Sequence, residues 1–363
     1  MTSSILHSAE PVFRVDGAEK GELARDLLRL DVEETTEGLK TAVLRLAGNG
    51  PSGDTTAQRQ VFLDGSIVDF GKSLEVSIGP PDGARTVFKG KVSAIEAAFG
   101  EGRDPEVVVF AEDELMELRM TRRMKSYEKM SDADIASAIA SQHGLSPSVS
   151  AEGPTYDVVQ QWNQSDLAFL RERARPLAAE VWVADGTLHF SARGSRSGTE
   201  VTLAAGGELI EVQLRADLAH QRTKVKVSGY DARARDRIDE EAAGDAVQGE
   251  VSGGRTGPDV LQQAFGERVS YRVMDAPLET GEATAFARAE MLRRARAFVV
   301  ATGMTSGTPD LTVGSKLTLD GVGAPFNGGG YYVTRVHHSY DRTSGHRTRF
   351  AAERATVNAG GGG

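Results

Sequence analysis

The chain reads as an α+β protein that is mostly β, with two strand-rich regions flanking a compact segment of helices and a hairpin. Three observations predict this. Short runs of alternating apolar and polar residues fill the first hundred or so positions; after about residue 115 they give way to helical spacing with cap residues; from Glu208 the alternation returns.

In the first region Phe13 and Val15 interleave with Val12, Arg14 and Asp16, and Leu28, Leu30 and Val32 share one face of a strand reaching about Glu34. Leu39 to Ala47, Ile67 to Phe70, Leu74 to Ile78, Val87 to Phe99 and Val107 to Ala111 repeat the pattern. Between them stand turn residues: Asp16-Gly17, Gly48-Asn49-Gly50-Pro51, Gly79 to Gly83 and Gly100-Glu101-Gly102. Many short strands so punctuated predict a sandwich or closed barrel.

In the middle, Ser131 is placed to cap a helix whose apolar stripe is Ile135, Ala136, Ile139 and Ala140, with Gly144 closing it in the left-handed conformation. A second helix starts at the Ser165 cap and carries Leu167, Leu170, Ala174 and Leu177 on one face; Pro176 argues against its running much past Arg175. Val181–Ala184 and Thr187–Phe190 flank Asp185-Gly186, a dipeptide that tolerates positive φ at both positions, so a hairpin is expected. Trp162 and Trp182 are expected as core anchors.

Strands return at Glu208–Leu214 and Lys224–Tyr230, followed by a polar, glycine-rich stretch from Asp231 to Pro258 that reads as a long exposed loop or mobile insert. Thr280 is expected to cap a third helix, with Ala285, Ala289 and Leu292 buried and Arg288, Arg293, Arg294 and Arg296 on the wet or partner-facing side. The remainder is β: Phe298–Met304, Lys316–Asp320, Tyr331–Tyr340 and His346–Arg354, and the terminal Gly360–Gly363 run reads as a flexible tail.

Composition narrows the function. The 363 residues suit two or three domains, and 39% hydrophobic with 26% charged residues is ordinary for a soluble globular protein. No run approaches the ~20 apolar residues that cross a bilayer, and Met1 to Val12 lacks a basic start, so a cytoplasmic origin without membrane insertion is expected. With no cysteine there is no disulfide, thiolate metal site or cysteine nucleophile. A net charge of −10, from 42 basic and 52 acidic residues, argues against stable nucleic-acid binding.

Enzyme signatures are weak. Gly-x-Ser-x-Gly is absent, since Ser315 directly follows Gly314, and no phosphate-binding Gly-x-x-x-x-Gly-Lys motif occurs. His337 and His338 are strand neighbours that point to opposite faces, although His346 could approach one of them across a hairpin; no metal or cofactor is expected. Acid pairs such as Glu33-Glu34 and Asp132/Asp134 are expected by chance among 52 acids. A peptidoglycan hydrolase and a stand-alone binding module are the rival readings.

Three stretches resemble the phage late-control protein D family and, more loosely, the hub half of the VgrG proteins of type VI secretion. The first runs from Tyr127 through the Ser131-capped helix to Gly144-Leu145. The second is the helix around Asp166, Phe169 and Leu170, followed by the hairpin at Gly186. The third joins Thr308–Gly314, Gly330 to Ser339 with Tyr332, Val333 and His337, and Gly345 to Phe350 with Thr348 and Phe350.

The resemblance implies a non-enzymatic baseplate hub of a contractile phage-tail-like particle, and the rival enzyme reading becomes a tail-associated peptidoglycan hydrolase. Two tube-like β-barrel domains, at 1–115 and 196–356, would enclose an α/β helix–hairpin domain at 116–195; residues 231–258 would be the mobile polar insert and 357–363 the flexible tail. It further implies a homotrimer whose edge strands pair across subunits, adapting a sixfold tail tube or tube-initiator protein to a threefold spike among other baseplate proteins. An acidic lumen would limit sticking of cargo. Pro176 and Ala178-Ala179-Glu180 depart from the helix continuation expected of VgrG hubs. The chain leaves no room after its last β motif for an oligosaccharide-binding fold or a needle, so a separately encoded spike is expected. The finished protein would lie in a virion or phage-tail-like particle.

Overall fold

The computed structural model describes residues 10–48, 62–79, 83–151, 153–196, 198–274 and 279–358. The turn at Asn49 to Pro51 and the Gly360–Gly363 tail lie outside these residues.

The first region comprises β1 (Val12–Val15), β2 (Ala18–Glu19), α1 (Gly21–Arg25), β3 (Leu27–Thr35), β4 (Thr41–Ala47), β5 (Ser73–Ile78), β6 (Arg85–Gly100) and β7 (Arg103–Glu112). Period-two alternation puts Leu30, Val32, Ala42, Leu44, Leu46, Leu74, Val76 and Val109 into one core with Phe13 and Phe88. Ile67–Phe70, expected as a strand, forms bends and turns instead: Val68 is buried but Phe70 is exposed, so no alternating face develops.

The middle region comprises α2 (Leu115–Met120), β8 (Arg122–Ser131), α3 (Asp132–Gln142), β9 (Ser146–Val149), β10 (Thr155–Ser165), α4 (Asp166–Ala174), β11 (Ala179–Ala184) and β12 (Thr187–Ala192). Ser131 caps α3 by accepting from the Asp134 N–H, while the Asp134 carboxylate accepts from the Ser131 N–H. Ser165 caps α4 by accepting from the Ala168 N–H. The chain leaves α4 through a 3-10 turn containing Pro176, and Asp185 and Gly186 take φ values of 47° and 72° at the tip of the β11–β12 hairpin.

The last region begins with β13 (Glu200–Ala204) and β14 (Leu209–Ala216) and ends with β19 (Val299–Thr305), β20 (Lys316–Asp320), β21 (Gly328–Asp341), β22 (Gly345–Arg354) and β23 (Thr356–Val357). Between β14 and β19 lies an insert of β15 (Lys224–Asp231), β16 (Asp236–Ala243), β17 (Arg255–Thr256), α5 (Gly257–Phe265), β18 (Val269–Val273) and α6 (Thr280–Arg296). The stretch 231–258, expected as a loop, is thus folded. β16 pairs with β15 along its length, β15 pairs with β18, and α6 covers this small sheet. Its core is Val225, Val227 and Ile238 against Ala283, Ala287 and Met291. Small alanines let the helix approach closely, so one buried residue, Ile238, suffices to seat β16. The cap of α6 is Glu279, paired with Glu282 in a reciprocal box, and not Thr280.

A single 13-stranded sheet runs through both outer regions, in the order β14-β19-β22-β21-β3-β4-β7-β6-β5-β1-β2, with β13 and β20 branching off β21. No closed barrel is formed among the described residues. Within this sheet the path β3-β4-β7-β6-β5-β1 is repeated by β14-β19-β22-β21-β20-β13, and each matched pair of strands holds the same place in chain order.

The repeat extends to register. Thr41, Ala42 and Val43 face Glu112, Ala111 and Phe110 as Val300, Ala301 and Thr302 face Glu353, Ala352 and Ala351. Both copies carry a bulge at the same two places, Leu28 matching Ile210 and Ser93 matching Thr334. One pairing departs: β1 runs antiparallel to β5, whereas β13 runs parallel to β20.

The two copies join where the end of β21 pairs with β3, from Arg335 opposite Thr35 to Asp341 opposite Arg29. Tyr340 of β21 is seated in the first core, while Val336 belongs to the second, with Tyr331, Val333, Phe350 and Leu317. No helix among the described residues is long and apolar enough to cross a membrane. Leu44 is fully buried in the first core, so Leu44→Ala is expected to lower stability by about 3 kcal/mol in urea unfolding.

Candidate functional site: a buried junction and two open sheet edges

Where the three regions meet, charged side chains are buried together. Arg196, its side chain 5% exposed, lies in the segment after β12 and reaches Glu34 of β3 at 2.6 Å and Glu180 of β11 at 3.2 Å. Arg193 reaches Glu180 at 3.4 Å and Glu353 of β22 at 3.0 Å. Tyr332 of β21 donates its hydroxyl to Glu180 at 2.8 Å, and Lys40 closes the network on Glu34 at 3.0 Å. The guanidinium of Arg196 lies over the Trp182 ring and that of Arg193 over Tyr332, at 4.8 and 4.3 Å from the centroids.

The electrostatics follow from this packing. Burial, reinforced by Glu180, holds the Tyr332 phenol well above its ordinary pKa. Burial works against the charge of Arg193, but Glu353 and Glu180 outweigh it and its pKa is raised. His189, stacked on Trp182 at 4.5 Å, is pushed down by burial and by Arg196. At the edge of the junction Asp113 accepts from the Lys40 and Leu115 N–H groups, yet burial carries its pKa up to about 6.

The residues singled out by sequence fall into three places. In the middle region Asp166 is buried and accepts from Gln161 at 2.9 Å and Arg123 at 2.9 Å, with His143 at 2.8 Å; it ties α4 to β10, β8 and the end of α3. Burial opposes its charge, and these partners still hold its pKa below the usual carboxylate range. Phe169 stacks on Tyr127 at 5.7 Å, and Leu170 is fully buried. Gly144 takes φ 70°, and the Leu145 N–H closes back on Ala140.

The junction itself takes Tyr332, with Val333 beside it in the second core, and Gly314, where an added Cβ would stand 2.7 Å from Cγ of Arg196. On β21 and β22, His337 lies 2.9 Å from Asp31, whose pKa is drawn to about 2: burial raises it, but His337 and Arg29 prevail. His338 is buried instead, with Thr348 at 3.0 Å and His346 at 3.3 Å, so the two neighbours do face opposite ways. Thr348 and Phe350 are buried, Phe350 in the second core. No group of three His, Cys, Asp or Glu side chains among the described residues is arranged to hold a metal.

Two expectations fail here. Trp182 is buried, but Trp162 is 64% exposed: it stands on a two-stranded ribbon opposite Met124, itself 78% exposed, and this ribbon face has no layer over it. The arginine face of α6 is not uniformly wet. Arg294 and Arg296, 17% and 11% exposed, pair with Glu290 and Glu250, leaving Arg288 and Arg293 exposed. Sequence reading gave no charge-pairing role to Arg193, Arg196, Glu180 or Asp113. The pairs Arg196–Glu34 and Arg193–Glu353 join residues far apart in the chain, and no local spacing marks them.

Besides its outer strands β13 and β2, the sheet is open at two places among the described residues. β14 pairs on one side only, and β6 beyond the Ser93 bulge pairs only with β7 among the described residues. The wet face between these edges mixes signs: Arg29 with Asp31 and Arg335 with Glu33, each at 2.6 Å, and Arg45 with Glu106 at 3.7 Å.

A sheet of this size with a helix–hairpin unit at its centre is a known arrangement. The 43 kDa tail protein of prophage MuSo2 from Shewanella oneidensis superimposes with a TM-score of 0.68 at 12% identity, over 96% of this chain and 98% of that one. A tail protein of Neisseria meningitidis MC58 gives 0.64 at 13% identity, over 95% and 96%. An Escherichia coli component of the type VI secretion system, described as similar in structure to the T4 bacteriophage tail proteins gp27 and gp5, gives 0.57 at 12% identity, over 96% and 77%. The fold is therefore one shared by phage tail proteins and type VI secretion components. By sequence, no curated protein matches. The chain belongs to the family described as the Alg8 N-terminal domain (Alg8_N), whose model matches residues 13–341.

Two outcomes are expected of the junction. Arg196→Met leaves Glu34 and Glu180 short of a buried partner; since Lys40, Arg193 and Tyr332 remain, the loss in urea unfolding should be about 3 kcal/mol. Asp113 has a folded-state pKa above its unfolded value, so its contribution to stability is full below about pH 4 and is lost as pH rises through about 6. The stability difference between the native chain and Asp113→Asn, measured from pH 4 to 7.5, should accordingly fall by up to about 3 kcal/mol.

Proposed function

We propose that this protein is a non-enzymatic baseplate hub of a contractile phage-tail-like particle, three copies of which form a ring between tail tube and spike. The observation that carries this reading is the register-matched repeat of six strands within one chain. Three chains so built present six near-equivalent units to a sixfold tube and three to a threefold spike. A protein with one unit per chain has no such means of matching the two symmetries.

The open edges support the ring. They belong to different strands, β6 and β14, so contact between copies is head-to-tail, and such contacts close into a ring when the rotation per subunit divides a full turn. Each repeat, with its share of the sheet, takes the place of a tube-like barrel, at about 1–115 and 196–356, and the helix–hairpin unit at 116–195 packs against both through Arg171, Glu180 and Arg193.

The resemblance to the late-control protein D family and to VgrG hubs supports the same role, as does the fold of the tail proteins. Asp166, Phe169, Leu170, Gly144, Leu145, Gly186, Gly314, Tyr332, Val333, His337, Thr348 and Phe350 are then positions that build the hub and touch no substrate. The partners on this reading are a separately encoded spike, a tail tube or tube-initiator protein and neighbouring baseplate proteins, assembled in the cytoplasm into a virion or related particle.

Mass measurement of the purified protein across micromolar concentrations, with negative-stain imaging, tests the reading. A three-chain species appearing as a ring with a central hole is expected; a compact monomer at every concentration would sink it.

A further inference from the structure

The open ladders of β6 and β14 are the counterparts of two strand edges, those of β21 and β3, that pair with one another inside the chain. In the seam inside the chain, Val336 faces Glu34, His337 faces Glu33, His338 faces Val32 and Ser339 faces Asp31. The repeat matches β21 to β6 and β3 to β14 through their hairpin partners. Because the bulges at Thr334 and Ser93 coincide, Arg335 to Ser339 correspond to Ala94 to Ala98. Likewise the bulges at Leu28 and Ile210 align Asp31 to Thr35 with Gln213 to Asp217.

Carrying the paired seam over to the open edges fixes a register. We propose that the tail of β6 in one copy pairs antiparallel with β14 of the next copy, with Ile95 opposite Ala216, Glu96 opposite Arg215, Ala97 opposite Leu214 and Ala98 opposite Gln213. This deepens the ring reading above and rests on it.

The side chains suit this pairing independently of the backbone correspondence. Ile95 and Ala97 meet Ala216 and Leu214, so the face continuous with the two cores is apolar on both strands. Phe99, 59% exposed in the single chain, is the next residue on that face and comes over Val212. On the wet face the register sets Glu96 against Arg215, opposite charges directly across the ladder. Arg215, 74% exposed, contacts only Asp217 of its own strand end, and Glu96 makes no ion pair among the described residues. The seam within the chain is tied on the same face by Arg335–Glu33 at 2.6 Å and His337–Asp31 at 2.9 Å.

A slip of one residue in either direction would turn Glu96 toward the apolar face of its neighbour, and a slip of two would set it against Gln213 or Asp217 in place of Arg215. The occupant is therefore a second copy of this chain. An unrelated strand donor would not reproduce both the charge pair and the apolar row.

The native chain has no cysteine, which makes the register directly readable. Glu96→Cys combined with Arg215→Cys in one chain, oxidised under native conditions, should give covalent dimers and trimers on denaturing gels. Glu96→Cys with Leu214→Cys, which point to opposite faces, should give few. Arg215→Glu should raise the concentration needed for half-assembly at least about tenfold, and Glu96→Arg added to it should restore assembly.

A three-chain ring that forms normally yet fails to cross-link, cross-links equally in the off-face pair, or ignores Arg215→Glu would overturn the register and leave the hub reading standing. Chains that never associate overturn both.

Discussion

The structure depends on the ladder between β3 and β21. Two strand-rich units joined by a linker would be expected to move relative to one another. Here they share a sheet, and Tyr340 from the second unit is part of the core of the first. Their spacing and angle are therefore set by backbone hydrogen bonds and twist. β21 can do this because its bulge at Thr334 divides it into two parts, the first pairing with β20 and the second with β3. The same strand also carries Tyr332 to Glu180, so it touches all three regions.

Around that ladder the buried charges do what apolar packing could not do alone. An apolar junction of equal volume could be as stable, since taking ions out of water costs several kcal/mol each. It would, however, tolerate sliding. Arg196 must satisfy Glu34 on one region and Glu180 on another, and Arg193 must satisfy Glu180 and Glu353, so only one relative placement leaves no charge unpaired. Gly314 belongs to the same constraint, because any side chain there would displace Arg196.

What was legible in the sequence was local. The caps at Ser131 and Ser165, the left-handed Gly144 and the Asp185-Gly186 hairpin are each decided within a few residues, and the alternation of the outer strands marks their buried faces. What was not legible depended on distant partners. Residues 231–258 look unstructured because they hold few large apolar side chains, yet alanines 283 and 287 of a helix far downstream make Ile238 sufficient. Trp162 has the composition of a core residue, but its ribbon has no layer over it. The internal repeat was invisible for a related reason: its two copies agree in strand order, pairing and bulges while their side chains differ, as where Lys91 opposite Glu112 matches Tyr332 opposite Glu353.

The insert carrying α6 occupies the connection between β14 and β19, whose counterpart in the other copy is the short turn between β3 and β4. One half of the molecule is thus ornamented and the other bare. In a ring of the kind proposed above the two would alternate, so that a feature repeating with every six-strand unit at the level of the sheet would repeat once per chain at the level of the insert.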